Sequence, residues 1–326
     1  MQRMGGITMN ILVTIPMDEE QKKTLASIAP DAEVKYIPAD QVTQGEVAEA
    51  EIILGNVPIP LLKGADKLKW IQLDFAGSDN YAKPGVLPEG VILTNATGAY
   101  GLAISECMLA GVLYLIKRLD QYQRNQEKHI WHNEGGVTSI EGSTTLVIGF
   151  GDIGSSFAQR MHALGSTVIG IRRNVTEKPD YVSALYQMDK LDELLPLADF
   201  VSLSLPNSPQ TQKVIGAKQL SEMKDSAVLI NVGRGSAVDT DALVEALNGG
   251  QIGGAVLDVV HQEPLPADHP LWDAPHLLLT PHVTGNYNLP ETLRRVVNIA
   301  LRNLAAYLNG QPMESEVDFK TGYRKL

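Results

Sequence analysis

The sequence holds one cysteine, Cys107, in 326 residues. A single thiol cannot build an internal disulfide framework, so the chain fits a reducing, cytoplasmic compartment. Cys107 lies in an apolar helical pattern, where the expected role is a small buried hydrophobe rather than a nucleophile. Positive charge is also scarce: 27 Lys and Arg stand against 38 Asp and Glu, a formal net charge of −11. With no concentrated basic patch, that balance argues against nucleic acid and anionic membrane as partners, because phosphates would be repelled. No apolar run approaches the ~18 residues needed to cross a bilayer. Pro16 and the acidic Asp18-Glu19-Glu20 interrupt the short apolar segment near the N-terminus, which excludes a signal peptide and leaves Met9 as a possible start. No cluster has metal-ligand spacing, so no metal is expected. Repeats and low-complexity segments are missing too. What is left is an ordinary globular composition, 44% apolar and 20% charged, in a chain long enough for two domains with buried cores.

The most informative stretch is 144–173. An apolar run at 146–148 leads into Gly149-Phe150-Gly151-Asp152-Ile153-Gly154. A helical segment follows to Leu164, Gly165 closes it, and a second apolar run at 167–171 ends on Arg172-Arg173. This order of strand, glycine turn, helix and strand is the βαβ unit that binds a dinucleotide. Gly149 permits the tight turn, Gly151 lets the backbone approach a pyrophosphate, and Gly154 lets the helix pack on the sheet. The helix start, with Asp152 and Ile153, offers free N–H groups and a positive dipole end to the phosphates.

The end of the second strand bears on the choice of cofactor. An acidic residue about 20 positions past the motif would hold the ribose 2′-hydroxyl of NAD, whereas arginine accommodates the 2′-phosphate of NADP. Arg172 and Arg173 occupy that place. Their guanidinium forks suit a phosphate dianion, which favours NADP(H) over NAD(H); a solvated basic strand end is the plainer alternative.

Taken in order, the first block reads as strands at 10–15, 33–37, 51–54, 68–73 and 91–94, with a helix at 18–29. Strands alternating with helices predict a parallel, doubly wound sheet without a second glycine motif. The loop at 74–79, with Gly77 and Ser78, is either an anion nest at a strand end or a plain loop. Residues 95–98 read as a linker and 103–122 as one long helix. Glu106 in it suits a capping or interdomain salt-bridge role. Trp131 either packs on a partner subunit or anchors at the surface. Beyond the glycine unit, strands are expected at 200–205, 227–231, 255–258 and 277–280, with helices at 191–195, 219–223, 240–247 and 290–308.

Three of these later strand ends carry Arg234, Glu263 and His282 next to glycine or proline. Each alone has a plain explanation: a surface charge, a turn residue, a core histidine. In a doubly wound sheet, however, strand ends converge on the cofactor crevice. Together the three suit one chemistry. Arginine can fork a substrate carboxylate and polarise its carbonyl. Histidine can supply the proton for an alkoxide formed by hydride transfer, and a neighbouring carboxylate can orient the ring.

The ordered set at 149–154, Asn231-Val232-Gly233-Arg234-Gly235, Asp258 to Glu263-Pro264, and Pro281-His282-Val283-Thr284-Gly285 resembles the D-isomer-specific 2-hydroxyacid dehydrogenase family over nearly the whole chain. The resemblance implies that Arg234 binds carboxylate and carbonyl, and that His282 is the acid/base assisted by Glu263. It further implies that Asp258 meets the nicotinamide amide, with Pro206, Val232 and Gly233 also lining the cofactor, and that the Gly77 and Ser78 backbone takes the substrate carboxylate. Implied too are two Rossmann-like doubly wound parallel-sheet domains. A dinucleotide-binding domain (98–286) would be inserted into a flavodoxin-like substrate domain (1–97 and 287–326), with two hinges and homodimerisation through the cofactor domain.

Arg172 replaces the acidic residue of NAD-type members, and 205–211 points the same way, towards the NADP-preferring glyoxylate/hydroxypyruvate reductase branch. Ser204 stands where many members have histidine, so no chemistry is expected there. Val260 replaces a common phenylalanine. A chain ending at 326 leads us to expect no regulatory domain of the long phosphoglycerate dehydrogenase kind. The expectation is NADPH-dependent reduction of a small 2-oxoacid. The alternatives are an NAD-dependent dehydrogenase and a dinucleotide-sensing, corepressor-like binding protein, since fold alone does not establish catalysis.

Overall fold

Strands of only three to five residues, most buried on both faces, recur between helices along the chain. Strands of that kind are stable only in a parallel sheet with helices covering each face. The computed structural model describes residues 9–174, 177–320 and 322–325; the segment before Met9, on which the expectation of a start there bears, lies outside them. The chain forms two compact units, Met1–Tyr100 with Leu289–Leu326, and Gly101–Asn288.

In the first unit, β1 (Asn10–Val13), β2 (Glu33–Tyr36), β3 (Ile52–Leu54), β4 (Trp70–Gln72) and β5 (Ile92–Thr94) form a parallel sheet ordered β2-β1-β3-β4-β5. That is the flavodoxin-type order expected for the first block. Helix α1 (Glu19–Ile28) begins at a capping box in which Asp18 accepts from the Gln21 N–H at 2.8 Å and Gln21 accepts from the Asp18 N–H at 2.9 Å. The short α2 (Gln44–Glu49) follows.

The second unit opens with α3 (Gly101–Ile116) and α4 (Leu119–Glu127). The single helix expected at 103–122 is therefore broken. Arg118 adopts a left-handed conformation (φ 56°) between the two helices. Its Nε donates to Gly136 O at 2.6 Å, and Lys117 Nζ donates to Thr138 O at 2.7 Å, so this corner is held by a segment distant in sequence. Strands β6 (Thr144–Ile148), β7 (Thr167–Ile171), β8 (Ala184–Tyr186), β9 (Phe200–Leu203), β10 (Val228–Asn231), β11 (Gly254–Leu257) and β12 (Leu277–Leu279) follow, all parallel in the order β12-β11-β10-β9-β6-β7-β8. The intervening helices are α5 (Asp152–Ala163), α6 (Leu191–Leu194), α7 (Ala217–Glu222) and α8 (Thr240–Asn248). Strand β8 is an addition to the sequence reading. It lies at the sheet edge and is only partly buried, so it has no apolar run to betray it.

The register places the site. Tyr186, Ile171, Ile148, Leu203, Asn231, Leu257 and Leu279, the last residues of the seven strands, pair in one continuous row. The residues after them therefore share one sheet edge. Helix α3 crosses the sheet closely: a Cβ on Gly111 would lie 2.5 Å from Val256 Cγ1. Glu106, expected to cap or to bridge domains, instead meets Arg160 of α5 at 3.4 Å within the same unit. Cys107, expected to be buried, lies on the exposed side of α3, because its neighbours Ser105 and Met108 take the inward positions.

The last helix, α9 (Pro290–Leu308), returns to the first unit and packs on α1. Proline at its first position has the required φ already set. A buried polar chain ties it down. Asn303 Nδ2 donates to Gln72 Oε1 at 2.7 Å and to Glu314 O at 3.0 Å, while Asn303 Oδ1 accepts from the Glu314 N–H at 2.7 Å. Thr94 Oγ1 in turn donates to Gln72 Oε1 and accepts from the Trp70 indole. Truncating Asn303 strands several of these groups away from water, each at about 1–3 kcal/mol. Asn303→Ala should lower unfolding stability by about 2–4 kcal/mol in urea titration; an unchanged midpoint would contradict the network's role.

Candidate active site

The glycine turn after β6 has three glycines in three different environments. Gly149 sits at φ 94°, and a Cβ there would fall 2.6 Å from Ser204 O. A Cβ on Gly154 would fall 2.1 Å from Gly149 O and 3.1 Å from Val147 Cγ1, so this glycine sets the close approach of α5 to the strand. A Cβ on Gly151 would meet nothing within 4 Å. The space over Gly151, at the N-cap of α5, is therefore open on the side where a phosphate could reach first-turn N–H groups that have no intrahelical acceptor. These residues fit a dinucleotide pyrophosphate. The side chain of Asp152 faces the other way, its Oδ2 accepting from the Gly101 N–H at 2.9 Å. What Asp152 presents to the open side is main chain.

Ser204 does have a structural task. Its Oγ donates to Gly149 O at 2.6 Å, and its N–H donates to Ile148 O at 3.0 Å, stapling the turn. Arg172 directly follows β7. Gly149 N donates to Ile171 O at 2.9 Å, which sets the start of the Arg172-Arg173 pair alongside the glycine turn. Arg173 is exposed and Arg172 partly so. Pro206 begins the turn after β9, its carbonyl accepting from Thr211 Oγ1 at 2.7 Å.

The loop after β10 carries Val232, Gly233 and Arg234. Gly233 packs on the Leu205 backbone, 2.6 Å from a would-be Cβ. Gly235 is pressed against Val260, where a Cβ would lie 1.9 Å from the carbonyl carbon. That contact brings the Arg234 loop onto the loop that holds Glu263, whose Oε1 accepts from the Val260 N–H at 3.1 Å. Glu263 Oε2 is 2.7 Å from His282 Nδ1. With Nδ1 so engaged, Nε2 is the nitrogen left to meet a substrate.

His282 itself sits at φ 53°, a left-handed conformation uncommon outside glycine. Buried Asp258 holds it there. The Asp258 carbonyl accepts the His282 N–H at 2.8 Å. Its carboxylate accepts from Thr280 Oγ1 (2.6 Å), Val283 N (3.0 Å), Thr284 N (3.2 Å) and Thr284 Oγ1 (2.5 Å). A recess of about 640 Å³ opens beside the pair, walled by Val260, Leu265, Trp272 and Leu279. Packing around the thiol of Cys107, then the charges of Asp258 and Glu106, push its pKa up.

Gly77 and Ser78 belong to the first unit, in the loop after β4. Three successive carbonyls there are tied inward: Asp74 O accepts the Tyr100 hydroxyl, Phe75 O the Ala96 N–H at 2.9 Å, and Ala76 O the Asn95 amide at 2.8 Å. Ser78 Oγ donates to Gly322 O at 3.1 Å. The N–H groups of Ala76, Gly77 and Ser78 have no protein acceptor among the described residues. Among the described residues no cluster could hold a metal ion, and no helix is long and apolar enough to cross a membrane. Sequence reasoning missed Asn231, Ser204, Thr280 and Thr284 as supports of the site. The one available signal was a polar residue, Asn231, ending an otherwise apolar strand.

The chain is similar to known proteins over most of its length. The family described as D-isomer specific 2-hydroxyacid dehydrogenase, NAD binding domain, matches residues 109–284. A glyoxylate/hydroxypyruvate reductase B of Pectobacterium carotovorum is 34% identical over 283 residues, covering 83% of this chain and 87% of that one. A D-isomer specific 2-hydroxyacid dehydrogenase family protein from Aeromonas salmonicida has a solved structure with TM-score 0.84 and 30% identity, covering 96% and 99% of the two chains. An NADPH-dependent glyoxylate/hydroxypyruvate reductase from Sinorhizobium meliloti, solved with NADP and sulfate, gives TM-score 0.81 at 26% identity, covering 97% and 100%.

The glycine environments separate folding from binding. Gly151→Ala should fold with a melting temperature close to that of the parent yet bind dinucleotide at least tenfold more weakly in fluorescence titration, because the methyl group fills only the open side. Gly154→Ala should lose several degrees of melting temperature, since its methyl group collides with main chain. Equal melting temperatures for the two variants would refute the assignment.

Proposed function

Because this chain belongs to the D-isomer-specific 2-hydroxyacid dehydrogenase family, oxidoreductases that use a nicotinamide dinucleotide, we propose that it reduces a small 2-oxoacid to the D-2-hydroxyacid with NADPH. The observation that carries this reading is the 2.7 Å His282–Glu263 pair at the strand edge that also bears the glycine turn. Bound NADPH would supply the hydride to C2 of the oxoacid. Arg234 forks the carboxylate and polarises the carbonyl. Protonated His282 gives its Nε2 proton to the developing alkoxide, and Glu263 keeps the ring oriented and the imidazolium stabilised. Gly77 and Ser78 offer main-chain N–H groups to the oxoacid carboxylate. Asp258 aligns the nicotinamide end, with Pro206, Val232 and Gly233 along the cofactor, while Gly149, Gly151, Asp152, Ile153 and Gly154 hold the pyrophosphate.

Arg172 and Arg173 hold the 2′-phosphate, which sets NADPH above NADH; the NADP-bound relative from Sinorhizobium meliloti supports this. The named relatives point to substrates of the glyoxylate or hydroxypyruvate type. Association as a homodimer through the cofactor domain belongs to the same reading: Trp131 is fully exposed beside half-exposed Ile130, apolar surface that a second copy would cover.

Purified protein should oxidise NADPH with at least one 2-oxoacid in a panel from glyoxylate to phenylpyruvate. His282→Ala should slow that turnover by roughly 10²–10⁴-fold with dinucleotide binding retained; full turnover by the variant would remove His282 from the mechanism. Arg172→Asp should shift the NADPH/NADH ratio of kcat/KM towards NADH by at least tenfold, and an unmoved ratio would sink the phosphate assignment.

A further inference from the structure

Asn231 is the last residue of β10 and is fully buried. Its amide oxygen accepts the Gly233 N–H at 3.1 Å, and its amide nitrogen donates to Arg234 O at 3.0 Å. Only this orientation satisfies both partners, since a reversed amide would set nitrogen against N–H and oxygen against C=O. The Asn231 carbonyl accepts the Asp258 N–H at 3.0 Å, and the Asp258 carbonyl accepts the His282 N–H at 2.8 Å. One residue thus joins the backbone of the Arg234 loop to the strand end that leads to His282.

We infer that Asn231 is a positioning residue that fixes Arg234 for oxoacid binding. The inference rests on reading Arg234 as the anchor of the oxoacid. Arg234 is in extended conformation (φ −138°, ψ 138°), and it and the residue on either side are pinned: Gly233 by Leu205 and Asn231, Arg234 by Asn231, and Gly235 by Val260. The side chain that needs both an acceptor and a donor two and three residues ahead is asparagine. Alanine offers neither. Aspartate keeps the acceptor for Gly233 but sets a carboxylate oxygen against the Arg234 carbonyl. Serine is small enough to fit and can satisfy one partner only.

The test is a double-mutant cycle on kcat/KM for a turned-over 2-oxoacid, with Asn231→Ala and Asn231→Ser placed in the parent and in Arg234→Lys. In the parent, Asn231→Ala should lower kcat/KM roughly 10- to 100-fold, the scale of a misplacement near 1 Å, and Asn231→Ser by less. NADPH affinity should stay within about threefold. In the Arg234→Lys background, where the fork is already lost, the same substitutions should lower kcat/KM by less than about threefold, because residues acting through one another are not additive. Equal losses in both backgrounds, no loss in the parent, or failure of both variants to fold would each overturn the positioning role. Parent-like kcat/KM in Arg234→Lys alone would overturn the reading of Arg234 itself; a damaged Arg234→Lys beside an unaffected Asn231→Ala would overturn only the inference.

Discussion

The register of the seven-stranded sheet is the constraint on which the site depends. Because the last residues of all seven strands pair in one row, the residues that follow are set about 4.8 Å apart along one edge. Gly149, Arg172, Gln187, Ser204, Val232, Asp258 and Thr280 are those residues. A shift of one position in any strand would move its loop away from its neighbours and turn each of its side chains to the opposite face of the sheet. Apolar side chains such as Leu146, Val201, Leu229 and Ala255, all in one buried cluster, prevent that slip. The site therefore inherits its alignment from core packing.

The loops built on this edge contain backbone that needs support. His282 in a left-handed conformation carries strain of about 1–3 kcal/mol. Asp258 counters it by accepting five hydrogen bonds at its carbonyl and carboxylate from His282, Thr280, Val283 and Thr284. Charged acceptors of this kind are among the stronger hydrogen-bond partners. The result is a rigid carrier for the imidazole, which leaves Glu263 to set only the rotation of the ring. A site held this way can keep its geometry although His282 and Glu263 are themselves half-exposed.

Much of this was legible from the residues. Periodic apolar runs located the long α9 and nearly every strand, and the glycine spacing marked the dinucleotide turn, because both follow from local geometry. The break at Arg118 was not legible: residues 103–122 carry one apolar helical pattern, and the interruption comes from hydrogen bonds to Gly136 and Thr138. Cys107 was misplaced for a related reason. An apolar pattern identifies a helix, but when hydrophobic residues occupy most of its surface the pattern does not say which side faces the sheet.

Glycine positions and the order of short apolar runs determined the parallel, doubly wound sheet by themselves, since strand, turn and helix preferences act over a few residues, whereas the insertion of one domain into the other followed from the family resemblance. Those same features identified Arg234, Glu263 and His282 as strand-end residues of suitable chemistry. Their support was decided only in three dimensions. That Ser204 staples the glycine turn, that Asp258 holds the histidine loop, and that Asn231 spans Gly233 and Arg234 follow from hydrogen bonds between strands far apart in the chain. Such partners are chosen by sheet order and register, and no local pattern records them.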